Sequence, residues 1–307
     1  MSLQHLWRLL EQAAGGGQQD SGAARLLIRL AYLDSADGAE GSCPLGDAYS
    51  DTIDDLGELV SHFESLGDVE AAHAYALADT VRRCLLGCAR QGRERLARLA
   101  ATMWCNSFDV VDPMTGSSIG EGVWPSLAMA LNHSCAPNCD FHHEPGNAGA
   151  MVVRALQPIA PGERLTIAYC GLFPSTQQRR AHLEKTYHFS CQCPRCKAND
   201  GAPHVLPLLA AFQAATAALR NSNGGSGAQT ASLQRSAVAA AVALEAAVAP
   251  LAAAGATWCH LTLCRAQYVR LAGDSRGESA AALHRMLALL LGESHPWTQD
   301  VRMQIRG

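Results

Sequence analysis

Three cysteines within six residues, Cys191-Gln192-Cys193-Pro194-Arg195-Cys196, constrain this chain more than any other feature. A C-x-C-x-x-C run crowds three thiols into one short loop. Structural zinc takes four ligands in a tetrahedron, so three local sulfurs leave one position to be filled from elsewhere. Disulfide pairing inside the run would leave a thiol over. The 12 cysteines are spread through 307 residues, and the start, MSLQHLWRLLEQAAGGGQQD, has no basic region leading to a cleavage site. The expectation is therefore reduced thiols, some of them on a metal, in a cytoplasmic or nuclear protein.

The fourth ligand is open on chemistry alone. Cys135 is a good candidate, since it sits in the compact run LNHSCAPNC at 131–139. Cys139, Cys170, Cys259 and His260 compete with it, and spacing does not choose between them. Cys84 and Cys88 are helically spaced and read as packed, while His142 and His143 fit no ligand pattern.

Charge narrows the partners. The formal net charge is −4, with lysine and arginine scattered along the chain. That argues against direct nucleic-acid binding and against a membrane-surface patch. The longest apolar runs are alanine-rich and interrupted by polar residues, so no transmembrane span is expected. With 48% hydrophobic residues the chain can build one large core or two moderate ones.

Three stretches differ in pattern. Residues 1–105 read as mostly helical: ARLLIRLAYL at 24–33, then Ile53, Leu56, Val60 and Phe63 at helical spacing, then an Ala-, Leu- and Arg-rich run from 70 to 101. Residues 106–200 change character. NSFDVVD (106–112) and AMVVRAL (150–156) are β-rich, and in ERLTIAYC (163–170) Leu165, Ile167 and Tyr169 alternate as in a half-buried strand. Pro161-Gly162 marks a turn before it. A polar helix is predicted from Ser175 to about Tyr187. Residues 201–307 return to three or four amphipathic helices, with NSNGGSGAQT (221–230) as a flexible connection.

In order and spacing, Asn106-Ser107-Phe108, VWPSLAMALNHSCAPNC, GERLTIAY and YHFSCQCPRC resemble a SET-domain protein lysine methyltransferase, most closely the family that joins a SET domain to a MYND zinc finger. The resemblance is strong over about 104–197, and GESHPWTQD near the end is similar to that family's helical C-terminal domain. It implies an α+β fold: 1–105 as a helical SET insert, 106–200 as the C-terminal half of the SET domain with a post-SET zinc motif, and 201–307 as a TPR-like helical bundle. A glycine-containing strand-turn and a MYND finger, which the family carries, are not found in this sequence, and the chain is expected to begin within the helical insert.

The resemblance also implies a site. Asn106, Asn132, His133 and Phe189 would contact S-adenosylmethionine, Tyr169 would be the catalytic tyrosine, and Tyr187 would line the lysine channel. Cys135 would join Cys191, Cys193 and Cys196 on a structural zinc. These residue types suit the reaction. In-line methyl transfer needs a neutral amine held in line with the methyl group. An apolar aromatic channel disfavours the ammonium, and tyrosine hydroxyls orient the amine without adding positive charge. Taken singly, each residue has a plainer role as core or turn; their joint occurrence carries the reading. The implied function is transfer of methyl to a lysine of a histone or non-histone protein. The alternative is a non-catalytic zinc-bearing module that binds proteins through its C-terminal helices.

Overall fold

The computed structural model describes residues 53–84, 92–111, 118–143, 151–222, 227–271 and 278–306. The run at 24–33, Cys88 and the side chain of Cys84 lie outside them. The chain divides into two compact units, the first built from described residues of 53–110 and 119–130, the second from 131–306 with 111 and 118.

In the first unit, helix α1 (Ile53–Gly57) is a single turn rather than the longer helix predicted from Ile53 to Phe63, and Val60 is exposed. The extended run instead resolves into α2 (Asp68–Cys84) and α3 (Arg93–Asn106). Ala74, Leu77, Ala78 and Val81 recur at i, i+3, i+4 and i+7, so they form one stripe of α2. That stripe packs on Leu96, Ala97, Ala100 and Met103 of α3. Each large buried side chain here contributes roughly 1.5–3 kcal/mol by leaving water. Strands β1 (Ser107–Val111) and β2 (Ser118–Val123) pair beyond it, followed by α4 (Pro125–Ala130). Gly122 is a close-approach glycine: a Cβ there would lie 2.5 Å from the Trp124 ring, which meets Phe108 edge-on.

In the second unit, β3 (Asn132–His133) pairs in parallel with β6 (Thr166–Ile167), and β4 (Cys139–His143) pairs antiparallel with β5 (Met151–Ala155). The strand predicted over 163–170 is thus two residues long. Its partner offers only two residues before the chain turns, and Leu165 faces solvent while Ile167 is buried. The Pro161-Gly162 turn forms as expected, with Gly162 at φ 81.

Helix α5 (Thr176–Tyr187) starts with a capping box in which Ser175 and Gln178 satisfy each other's backbone N–H groups. It ends at His188 in the left-handed region, whose N–H bonds the Glu184 carbonyl. Helix α6 (Pro194–Lys197) is one turn with Pro194 at its first position, and it carries Cys196.

Among the described residues, five α-helices complete the unit: α7 (Leu206–Arg220), α8 (Gly227–Ala253), α9 (His260–Leu271), α10 (Glu278–Leu291) and α11 (Pro296–Arg306). Consecutive helices of this series pack on one another, most extensively α8 on α7 and α9. Helix α8 begins inside the stretch read as a flexible connection. By length and composition α8 is long and apolar enough to cross a membrane, which the sequence reading did not anticipate. In the structure Ala237, Ala241, Leu244 and Val248 form its buried stripe against Phe212, Cys259 and Ala266. A second core joins Leu156, at the end of β5, to Leu283, Leu287, Leu290 and Trp297, so the β4–β5 hairpin docks on the last two helices.

Candidate active site and metal centre

The two halves of the 131–139 run do different work. Ser134 donates its N–H to the Ile167 carbonyl at 3.0 Å, continuing the β3–β6 pairing. Buried Asn138 then fastens the loop to the opposite segment. Its Nδ2 donates to Glu163 Oε1 and to the Arg164 carbonyl at 2.9 and 3.0 Å, and its Oδ1 accepts the Thr166 N–H at 2.8 Å. The sequence reading counted Asn138 in the 131–139 motif but gave it no role, although an Asn between Pro137 and Cys139 is a residue type that satisfies loop backbone.

Held this way, Cys135 lies with Cys191, Cys193 and Cys196. All four Sγ atoms are within 4.8 Å of one another, and none is in a disulfide. Cys135 is 4.0 Å from Cys191 and 3.5 Å from Cys196. Zn–S bonds of about 2.3 Å in a tetrahedron put sulfurs about 3.8 Å apart, so the cluster has the size and donor set of a four-thiolate zinc site. Cys139 and Cys259, the sequence's other cysteine candidates besides Cys170, are buried elsewhere, Cys259 in the helical core. Cys170 approaches from the side, in a second group with Cys135 and His133.

The thiols are not poised alike. Burial pushes the Cys191 and Cys196 thiols up. Cys135 is pushed up by its hydrogen bond with Cys170 and then by burial. For Cys193 burial also acts upward, but backbone hydrogen bonds from the Cys196 and Cys135 segments outweigh it and the thiol falls. A bound divalent ion would displace the protons of all four.

The aromatic residues gather beside this cluster. The rings of Tyr169 and Tyr187 lie 5.0 Å apart, and His133 lies 5.4 Å from Tyr169 and 5.8 Å from Phe189. The Tyr169 hydroxyl donates to the Leu131 carbonyl, and the Tyr187 hydroxyl to the Tyr169 carbonyl at 3.4 Å. Burial pushes the Tyr169 phenol up, so it stays protonated at neutral pH.

His133 ties the two groups together. Its Nδ1 accepts the Tyr169 N–H at 3.0 Å, and its Nε2 is 3.3 Å from Cys135 Sγ. An amide can only donate, so the neutral ring carries its proton on Nε2, directed at the sulfur. Burial, then the charges of Arg179 and His182, lowers its pKa to about 4 and keeps the ring neutral.

Asn132 is exposed, and its side chain makes no hydrogen bond among the described residues. Asn106 belongs to the first unit, at the end of α3 rather than on a strand. Its Nδ2 donates to the carbonyls of Val60 and Thr102 at 2.8 and 2.7 Å.

Comparison with known proteins agrees with this architecture. The SET domain family model matches residues 28–170, reaching further toward the N-terminus than the motifs alone. Histone-lysine N-methyltransferase Smyd1 of Mus musculus is 29% identical over 157 residues, 48% of this chain and 31% of that protein. Histone-lysine N-methyltransferase SMYD3 of Homo sapiens is 37% identical over 100 residues, 33% of this chain and 22% of that protein. N-lysine methyltransferase SMYD2 of Homo sapiens is 35% identical over 108 residues, 35% of this chain and 24% of that protein. The chain thus spans between 22% and 31% of the length of these relatives. Residues 28–170 thus match the SET domain, and over part of its length the chain is similar in sequence to SMYD lysine methyltransferases.

Proposed function

We propose that the chain acts as a protein-lysine N-methyltransferase, moving a methyl group from S-adenosylmethionine to a lysine of a histone or another protein. The observation that carries this reading is the joining of the Tyr169–Tyr187 pair to the four-cysteine cluster through one histidine. A pair of packed tyrosines alone would be ordinary core.

When bound, S-adenosylmethionine supplies an electrophilic methyl group on a sulfonium. The residues of the chain then have to hold a neutral amine in line with it. The Tyr169 hydroxyl gives its proton to the Leu131 carbonyl, so its lone pairs are free to accept an N–H from the lysine amine. The two tyrosine rings make an apolar wall that disfavours the ammonium, easing loss of its proton. Asn132, His133 and Phe189 are assigned to the cofactor. His133, whose ring nitrogens are both engaged, would contribute its carbonyl and ring face.

Cys135, Cys191, Cys193 and Cys196 would hold a structural zinc. Four thiolates fill its coordination shell, so the ion would brace the 131–139 loop against the segment carrying Tyr187 and Phe189 and take no part in transfer. The compartment we propose for this work is the cytoplasm or nucleus, where thiols stay reduced. The consecutively packed helices α7 to α11 are read as a TPR-like scaffold for protein partners.

Calorimetric titration of the zinc-loaded chain with S-adenosylmethionine tests the reading, followed by transfer of labelled methyl to histones. Micromolar binding with label on lysine is the expected result. A folded, zinc-containing chain that binds no cofactor would favour the protein-binding module instead.

A further inference from the structure

Arg179, on α5, is 1% exposed, among the most deeply buried large side chains of the molecule. A buried guanidinium is costly unless a negative group answers it. Its NH1 donates to the Pro174 carbonyl, and its NH2 to Thr176 Oγ1 at 3.2 Å, to the Asp200 carbonyl at 2.7 Å and to Cys196 Sγ at 3.8 Å. Among the described residues no carboxylate bonds to it. Every oxygen it touches is neutral, which leaves the sulfurs of Cys196 and, beside it, Cys135 as the partners able to carry charge.

Its neighbours differ. Arg195, 5% exposed, donates from Nε to Asp200 Oδ2 at 2.9 Å and lies 3.6 Å over the Trp258 ring, so a carboxylate already answers it. Arg180 holds the carbonyls of Cys191 and Cys196 at 3.0 and 3.3 Å and shapes the loop rather than facing the thiols. Four thiolates around a divalent ion leave two negative charges in excess within a buried cluster, and a cluster of neutral thiols leaves none.

We propose that Arg179 is the counter-charge of a metal–tetrathiolate centre, a positioning residue whose guanidinium sets how tightly the four cysteines hold their ion. The proposal rests on the zinc reading above and adds an electrostatic role that the ligand set does not contain. An arginine of this kind favours a doubly negative four-thiolate centre and is less needed where one thiolate is replaced by a neutral ligand. The hydrogen bond to Cys196 also removes electron density from that sulfur, as outer partners do for first-sphere ligands.

The test is zinc affinity of the full chain, measured by competition with a chromophoric chelator, with the cobalt charge-transfer band reporting how many thiolates bind. Arg179→Met is expected to weaken zinc by roughly tenfold to a hundredfold, while Arg179→Lys, which keeps the charge, stays within about threefold of the unmodified chain. Cys193→His lowers the charge of the centre without touching the Cys196 contact, and in that background the loss from Arg179→Met should shrink. An equal loss with Met and Lys, or an equal loss in both backgrounds, would overturn the counter-charge role and leave Arg179 a shape-determining hydrogen bonder. Should Arg179→Met fail to fold, Arg179→Lys decides alone: retained affinity supports the proposal and a large loss overturns it. If the unmodified chain takes up neither zinc nor cobalt, the metal reading itself fails, an outcome distinct from metal binding that ignores Arg179.

Discussion

The backbone N–H of Tyr169 donates to Nδ1 of His133 at 3.0 Å, and the opposite nitrogen of the same ring reaches Cys135. One imidazole therefore joins the proposed catalytic tyrosine to the proposed metal ligands, which separates the effects of two substitutions. Tyr169→Phe removes the hydroxyl but keeps the N–H. Methyl transfer should fall by about 100-fold or more, with zinc content and cofactor affinity unchanged. His133→Ala removes both bonds and should lower zinc affinity and transfer together. Labelled-methyl assays beside metal analysis distinguish the two; zinc loss in Tyr169→Phe would mean that the hydroxyl is structural.

Metal removal should unfold more than the four-cysteine cluster. The four-cysteine cluster shares its packing with Leu183 of α5, Tyr169, Tyr187 and Phe189. Stripping the ion leaves buried thiols without the bonds that hold their loops, and binding energy of a structural ion is folding energy. Cys193→Ser should drop zinc below one per chain and lower the melting temperature, whereas Cys139→Ser and Cys259→Ser should keep it. Elemental analysis with thermal melts checks both halves; full zinc retention in Cys193→Ser would remove it from the ligand set.

Different parts of the molecule were legible in the sequence to different degrees. The stripe at Ala74, Leu77, Ala78 and Val81 and the Ser175–Gln178 cap obey local rules, so period and residue type suffice to place them. The cysteine run declared its chemistry, but its fourth member needed a contact across 56 residues that no spacing records. The 163–170 strand was overread because alternation reports burial preference, while strand length depends on a partner, and β3 supplies two residues. Arg179 and Asn138 were invisible for a related reason. One looks like part of a polar helix face and the other like a loop residue until the segments they answer are folded against them.

Asn138 tests how much the loop depends on its clasp. Its side chain is buried and makes hydrogen bonds through both of its ends to Glu163, Arg164 and Thr166. Asn138→Ala leaves a half-buried backbone N–H and carbonyl without their partner and should cost roughly 1–3 kcal/mol. Urea unfolding of the zinc-loaded protein measures this, and a loss below the cost of one ordinary hydrogen bond would show that water replaces the side chain.

Acid should loosen the junction of the β4–β5 hairpin with the last helices through His295. This residue is 4% exposed, its Nδ1 accepts the Trp297 N–H at 3.3 Å at the start of α11, and its ring meets His142 edge-on. Burial, then the charges of His142, Arg154 and Arg265, lowers its pKa to about 4 from the ordinary value of 6.5. Between pH 6.5 and about 4 the unfolded chain takes up a proton at this histidine that the folded chain refuses. Stability from His295 is therefore complete above that window and lost as pH falls through it, by an amount on the order of 2–3 kcal/mol. His295→Asn keeps a capping acceptor and cannot titrate. Its urea midpoint should fall less steeply from pH 7 to pH 4.5 than that of the unmodified chain, each followed by fluorescence of Trp297, which stacks on Tyr268 at 4.6 Å. Parallel curves for the two proteins would show that the acid sensitivity arises at other groups.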